Sequence, residues 1–176
     1  MSWTPRLCTI DDWEKLLDFS RKTFFDTYFI DSIRSDLQIY IDATFTPHGM
    51  KQELSDKHSS FYVIENKEYI IAYMKLVCVP CSSAELSTVS LELQRLYVDR
   101  QFQGKGLGKS LLLFAIQKGK EINASSIWLN VWEHNTSAIE FYKQFHFTLV
   151  GESNFQLGRI CRKGLLMRIE DFSSGS

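Results

Sequence analysis

The chain has 176 residues, of which 44% are hydrophobic, and its formal net charge is −1 at pH 7. That length suits a single well-buried domain, expected at residues 1–172 with a disordered tail at 173–176, and the near-neutral charge argues against a nucleic-acid-binding protein. Four scattered cysteines argue against a secreted disulfide framework. With no signal-like N-terminus and no long apolar run, we expect a cytoplasmic protein that does not bind membranes.

Three helices are predicted in the first third of the chain, after a short strand at Arg6–Thr9. Apolar residues recur near helical spacing from Asp11 to Thr27, with acidic residues at the positively polarised start. A second helix is predicted for Ser32–Ala43, and Pro47 is well placed to begin a third that runs to Leu54.

The rest of the chain combines strands with helices. Aromatic and β-branched residues predict a hairpin of Phe61–Ile64 and Tyr69–Val79, followed by a polar, flexible connection at Pro80–Ser87. Further strands are predicted at Leu91–Val98, Ser126–Val131, Phe147–Phe155 and Cys161–Ile169, and further helices at Leu111–Ile122 and Thr136–Gln144. A hairpin, then alternating strands and helices, then a second hairpin imply an α/β fold, a mixed sheet with helices on both faces.

A glycine-rich stretch, Gln101–Ser110, joins the Leu91–Val98 strand to the next helix. Its glycines let the backbone approach a ligand closely, and the free N–H groups at a helix start favour phosphate. A Walker loop ending in Gly108-Lys109-Ser110 would need glycine at Gln103, and a dinucleotide fingerprint would need its third glycine at Lys109. The stretch fits Q/R-x-x-G-x-G/A instead, read from Gln101.

A second stretch, Asn135–Phe147, has the pattern N-x-x-A-x-x-x-Y, with Tyr142 at its end. Together the two stretches resemble the GNAT superfamily of acetyl-CoA-dependent N-acetyltransferases, whose signature continues to G-F. This chain has His146 in place of that glycine. Histidine is among the residues enriched at positive φ, so we expect a left-handed turn at His146.

The resemblance implies the GNAT fold, a single domain with a mostly antiparallel sheet of six to seven strands and a cofactor cleft between the fourth and fifth strands. It also implies acetyl-CoA as co-substrate. In the family the asparagine bonds the pantetheine arm, the tyrosine lies beside the thioester sulfur, and a bulge in the fourth strand supplies N–H donors, here expected around residues 96–98. The implied cofactor-binding residues are Leu96, Tyr97, Val98, Gln103, Gly104, Lys105, Gly106, Leu107, Gly108, Lys109, Asn135 and Tyr142.

The chemistry of amine acetylation points to two catalytic residues. An amine with a pKa near 10.4 is mostly protonated at pH 7, so the site must remove a proton. Glutamine stands at Gln94, where related sequences often carry glutamate, so Glu92 acting through a water chain is the predicted base, with Glu133 or Asp26 as substitutes. Tyr142 is expected to donate a hydrogen bond to the departing sulfur, because full proton transfer to a thiolate is uphill by roughly 2 kcal/mol.

The acceptor is predicted less directly. The stretches Thr23–Thr27, Leu91–Val98 and Ile127–Glu133 resemble the bacterial spermidine/spermine N-acetyltransferase subgroup, which implies a polyamine. Ten acidic against five basic residues from Asp11 to Asp56 suit a cationic substrate, and six basic against one acidic from Arg95 to Lys120 suit an anionic cofactor.

The sequence is also compatible with other functions. The alternatives are acetylation of a protein N-terminus, a lysine or another small amine, favoured if those acids are scattered, and a non-catalytic acyl-CoA sensor. A homodimer is left open as the assembly state. The histidines do not cluster at metal-ligand spacing, so no metal is expected.

Overall fold

The computed structural model describes residues 3–29, 33–80 and 89–170, which form one seven-stranded sheet and five α-helices. The strands are β1 Arg6–Leu7, β2 Ser59–Asn66, β3 Tyr69–Pro80, β4 Val89–Val98, β5 Ser126–Trp132, β6 Thr148–Leu157 and β7 Ile160–Ile169. The helices are α1 Trp13–Tyr28, α2 Arg34–Thr44, α3 Pro47–Ser55, α4 Leu107–Glu121 and α5 Thr136–Gln144.

The sheet order is β1-β2-β3-β4-β5-β7-β6, and every neighbouring pair is antiparallel except β4 with β5. Alternating side chains bury two separate apolar cores on the two faces. One core packs α4 and α5 against the sheet, and the other packs α1, α2 and α3 against the opposite face. The predicted fold class, a mixed and mostly antiparallel sheet with helices on both faces, is confirmed.

The sheet opens between β4 and β5. Parallel pairing joins only Ser90–Glu92 to Ser126–Trp128, and no ladder partner on the β5 side follows within the described residues of β4. A β-bulge lies just beyond this point, because Lys75 pairs with Arg95 and Leu76 with Leu93, which leaves Gln94 as the extra residue. A bulge bends its strand and increases its twist, so it turns the end of β4 away from β5.

One predicted element boundary that matters for the site differs from the observed one. Helix α4 begins at Leu107 rather than Leu111, because Gly106 adopts the left-handed conformation that ends the loop directly before the helix. The fourth strand has the expected bulge, which lies at Gln94, and the segment 96–98 with the predicted N–H donors follows it. The predicted flexible connection falls almost wholly on residues 81–88, and the predicted tail at 173–176, like the start of the second helix at Ser32, also falls outside the described residues.

Candidate active site

A cleft of about 590 Å³ occupies the opening between β4 and the start of α5. Its walls come from four places in the chain: α1, the end of β4, the glycine loop with the first turn of α4, and α5. The lining residues are Thr23, Asp26, Thr27, Leu96, Tyr97, Val98, Arg100, Phe102, Gln103, Gly104, Gly106, Leu107, Gly108, Lys109, Asn135, Ser137, Ala138, Phe141 and Tyr142.

The glycine loop forms one end of the cleft. Gly104 and Gly106 have φ of 74° and 84°, a region that residues with a side chain rarely adopt, and a Cβ at either position would meet no protein atom within 4 Å. Open space therefore lies directly above the backbone at both residues. Gly106 is the N-cap of α4, so the first N–H groups of that helix lack partners within it and point toward the loop. This arrangement fits a diphosphate.

The end of β4 forms the wall beside the loop. Leu96, Tyr97 and Val98 all line the cleft, and their strand has left β5 by this point. The Gln103 amide donates a 3.2 Å hydrogen bond to the Val98 carbonyl, which ties the loop to the strand end. Backbone groups on the β5 side of this strand are available to a ligand that lies between the strands.

Helix α5 forms the opposite wall. The Asn135 side-chain oxygen caps the helix by accepting a 3.3 Å hydrogen bond from the Ala138 N–H. Tyr142 follows two turns later, 8% exposed, and burial raises the pKa of its hydroxyl well above the ordinary value. That hydroxyl makes no hydrogen bond to any described side chain. His146, just beyond the helix, has φ of 65°, so its predicted left-handed turn is confirmed.

Two of the predicted site residues lie outside the cleft wall. Glu92 lies on the face of the sheet that carries α1–α3, within 3.4 Å of the Gln94 amide, and burial raises the pKa of its carboxyl. Lys105 is not among the residues that line the cleft, and its ammonium lies 4.7 Å from the centre of the ring of Phe102, which does line it. The other predicted residues, from Leu96 to Tyr142, are brought together.

A buried charge cluster lies near Glu92. Glu53 of α3 accepts two hydrogen bonds from Arg95, at 2.8 and 3.0 Å, and lies 3.1 Å from the Lys75 ammonium. Burial opposes ionisation of Glu53, but the two cations together lower its pKa. Burial, reinforced by the charge of Arg95, lowers the pKa of Lys75. The cluster anchors β4 beside the bulge to α3.

The acidic residues of the first third of the chain are scattered. Asp12 pairs with Arg6 and Asp36 with Arg159, while Glu53 joins the buried cluster. Among the described acidic residues of that segment, only Asp26 lines the cleft. In the described part of the chain these acids are therefore scattered, the arrangement that favours the alternative acceptors.

Several lining residues were not among the predicted site residues. Thr23 and Thr27 stand one helical turn apart on α1, and Arg100 immediately precedes the first motif. Phe141 packs close to Gly108, where an added Cβ would lie 3.6 Å from its ring. The signal for Thr23 and Thr27 was present in the Thr23–Thr27 stretch, but only the fold shows that this helix face borders the cleft.

Residues 3–29, 33–80 and 89–170 contain no group of three or more histidine, cysteine or acidic side chains arranged to hold a metal ion. Within the same ranges, no helix is both long and apolar enough to cross a membrane.

A sheet that opens between its fourth and fifth strands, beside a glycine loop at a helix start, is the arrangement expected of the acetyl-CoA-dependent N-acetyltransferases. The chain belongs to the GNAT family: the family model described as "Acetyltransferase (GNAT) family" matches residues 13–147.

Related sequences agree with this assignment. An uncharacterised N-acetyltransferase of the pepI 3′ region in Lactobacillus delbrueckii subsp. lactis is 34% identical over 147 residues, which cover 84% of this chain and 85% of that protein. The spermine/spermidine N(1)-acetyltransferase of Bacillus subtilis is 38% identical over 74 residues, which cover only 42% of this chain and 49% of that enzyme.

Solved structures share the fold. The PaiA N-acetyltransferase of Thermoplasma acidophilum, solved in complex with coenzyme A, superposes with a TM-score of 0.76 at 21% identity over 97% of this chain and all of that one. Arabidopsis thaliana NAA60, solved with acetyl-CoA, gives a TM-score of 0.75 at 14% identity and covers 96% of this chain and 98% of that one.

Proposed function

We propose that this N-acetyltransferase acetylates a small cationic amine, with a polyamine such as spermidine or spermine as the first candidate, by direct attack in a ternary complex. The observation that carries the proposal is the cleft itself, which has the glycine loop at one end, Tyr142 in its opposite wall and Asp26 of α1 among its lining residues. Acetyl-CoA supplies the activated acetyl group when it is bound there.

The glycine loop and α4 would hold the diphosphate of the co-substrate. Gly104 and Gly106 leave their backbone open, the first turn of α4 offers N–H groups, and Lys109 adds a positive charge to the same wall. Asn135 at the start of α5 lies where its side chain could bond the amide-bearing arm of the ligand. The residues present therefore fit coenzyme A.

The end of β4 and Tyr142 would act at the reacting atoms. Backbone N–H groups on the β5 side of β4 beyond Glu92, where the described residues form no ladder with β5, can donate to an acyl oxygen as it gains negative charge. The Tyr142 hydroxyl can donate to the leaving sulfur. Burial widens the gap between the pKa of this tyrosine and that of a thiol, so a hydrogen bond that strengthens during the reaction is favoured over full proton transfer.

Two carboxylates can serve the amine. Asp26 lines the cleft and can bind an ammonium group directly. Glu92 lies behind the wall, so as a base it must act through water, and its raised pKa brings it closer to the pH at which a general base works best. We assign acceptor binding to Asp26 and proton removal to Glu92.

The polyamine assignment has two supports, the partial similarity to the Bacillus subtilis enzyme and the combination of Asp26 with the aromatic walls Tyr97 and Phe141, which suits a cation. The scattered positions of the acidic residues argue against a polyamine. With few carboxylates along the cleft, a longer cation gains little from each additional charge, and this favours the alternative acceptors, a protein N-terminus, a lysine side chain or another small amine.

The test is release of free CoA thiol from acetyl-CoA with spermidine, spermine, a lysine-bearing peptide, a peptide with a free N-terminus, and no acceptor. We expect the highest kcat/KM with the polyamines. Asp26→Asn should raise the polyamine KM by about tenfold, while Asp18→Asn, which removes an exposed carboxylate of the same helix outside the cleft, should leave it unchanged. If the peptides are acetylated and the polyamines are not, the polyamine assignment is wrong. If acetyl-CoA binds but no amine is acetylated, the proposed reaction is wrong.

A further inference from the structure

The segment before β1 crosses the glycine loop. The Trp3 indole N–H donates a 3.2 Å hydrogen bond to the Lys105 carbonyl, and the Ser110 hydroxyl donates a 2.7 Å hydrogen bond to the Trp3 carbonyl. The Trp3 ring is half-buried and packs against the core beneath α4. One residue is thus bound both to the loop and to the first turns of α4, more than 100 positions away in the chain.

The bond to Lys105 fixes the direction of one peptide group. In a trans peptide the C=O of one residue and the N–H of the next point to opposite sides. The Lys105 carbonyl faces Trp3, outside the cleft, so the Gly106 N–H must face the other way. Gly106 lines the cleft, whereas neither Trp3 nor Lys105 does, so we place the Gly106 N–H on the cleft side of the loop.

The loop needs such a support. Gly104 and Gly106 have no side chains to hold their conformations, both are exposed, and free glycine backbone carries a large conformational entropy that ligand binding would have to remove. A hydrogen bond anchored by a packed ring reduces that cost before the ligand arrives, and such preorganisation increases affinity.

We propose that Trp3 is a positioning residue for the diphosphate of acetyl-CoA: through its indole N–H it holds the Lys105–Gly106 peptide with the Gly106 N–H directed into the cleft. This inference rests on the proposed cofactor site. It adds to that site a residue that is not among those lining the cleft and lies far from both motifs in the sequence.

The test compares two donors in wild type and Trp3→Phe, which keeps an aromatic ring and removes only the N–H. With acetyl-CoA, we expect KM to rise by roughly two- to tenfold at unchanged kcat, the effect of losing one hydrogen bond. With S-acetylpantetheine, which has no diphosphate, we expect kcat/KM to stay the same. Ser110→Ala, which cuts the other bond of Trp3, should raise the acetyl-CoA KM in the same direction.

Trp13→Phe is the matched control, because Trp13 begins α1 on the other face of the sheet, and it should leave both donors unaffected. An unchanged acetyl-CoA KM in both Trp3→Phe and Ser110→Ala would overturn the inference, as would equal losses with the two donors, which indicate a general structural role. Wild-type protein that fails to bind CoA in calorimetry would instead overturn the cofactor site, and the inference with it.

Discussion

Tyr142 combines a place in the cleft wall with almost complete burial, and both follow from its position on α5. Its ring packs against Phe141 and Phe147, so Tyr142→Phe should preserve the fold and remove only the hydroxyl. We expect kcat to fall by more than about tenfold with little change in CoA affinity, because the lost hydrogen bond forms only as the sulfur gains charge. Steady-state kinetics together with calorimetric CoA titration measure the two effects. An unchanged kcat would remove Tyr142 from the mechanism.

Glu92 should set the acid side of the pH profile. A base must be deprotonated, so kcat/KM of the wild type should fall as the pH drops through the raised pKa of Glu92. In Glu92→Gln we expect activity at neutral pH to fall by at least about tenfold and this acid limb to disappear, since glutamine cannot titrate. A variant that keeps the wild-type limb would show that another group, with Asp26 the first candidate, removes the proton.

For single residues, the sequence was sufficient to predict those whose conformation depends only on their near neighbours in the chain. His146 could be expected at positive φ, and Asn135 and Tyr142 could be placed on one helix, because spacing along a helix fixes which side chains share a face. Glu92 could not be placed in this way. The bulge at Gln94 changes which side chains of β4 share a face of the sheet before and after it. The extra residue can be recognised only from the pairing of β4 with β3.

The loop and α4 act as one element, and Gly106 joins them. A Cβ at Gly106 would meet no protein atom within 4 Å. The only cost of Gly106→Ala is therefore the strain of holding alanine in the left-handed conformation, about 1 kcal/mol. We expect this variant to bind CoA a few times more weakly than the wild type. Gly106→Asp adds a negative charge beside the diphosphate, and we expect its Kd for CoA to rise well beyond that of the alanine variant. Calorimetric titration of both variants separates strain from charge. Equal affinity of Gly106→Asp and wild type would undo the phosphate-loop assignment.

Most element types could be predicted from periodicity, and the family resemblance implied the cleft between the fourth and fifth strands, but local patterns could not predict the strand order. The order β5-β7-β6 places the last strand between two earlier ones, a long-range pairing that no local pattern specifies. The early start of α4 has a similar origin. Leu107 is buried in the core that packs α4 against the sheet, and this tertiary packing extends the helix back to Leu107, directly after the left-handed Gly106 that ends the loop.

Across the whole molecule, the two cores hold the two halves of the site on opposite faces of one sheet. The face with α4 and α5 carries the loop, Asn135 and Tyr142, and the face with α1 carries Asp26. Three of the acids that the sequence suggested for the substrate instead hold this frame together. Asp12 ties the start of α1 to β1, Asp36 ties α2 to the β6–β7 turn, and Glu53 ties α3 to β4.

This use of acids predicts how the protein unfolds in acid. Asp12 accepts hydrogen bonds from Arg6, at 2.8 and 2.9 Å, and from the Thr9 N–H, at 2.8 Å, and these lower its pKa from 3.8 to about 2. A lowered carboxyl pKa contributes stability that is complete above the unfolded value and is lost as the pH falls through the folded value.

Asp12→Asn should therefore lower the free energy of unfolding by about 1 kcal/mol at pH 7. This difference in unfolding free energy between variant and wild type should disappear as the pH falls from 3.8 to about 2. Urea unfolding followed by circular dichroism across this range measures it. Asp11→Asn, which removes a neighbouring carboxylate without an ion pair among the described residues, should follow the wild-type curve. A gap that stayed constant down to pH 2 would show that Asp12 acts through packing rather than charge, and that the frame of ion pairs does not control acid unfolding.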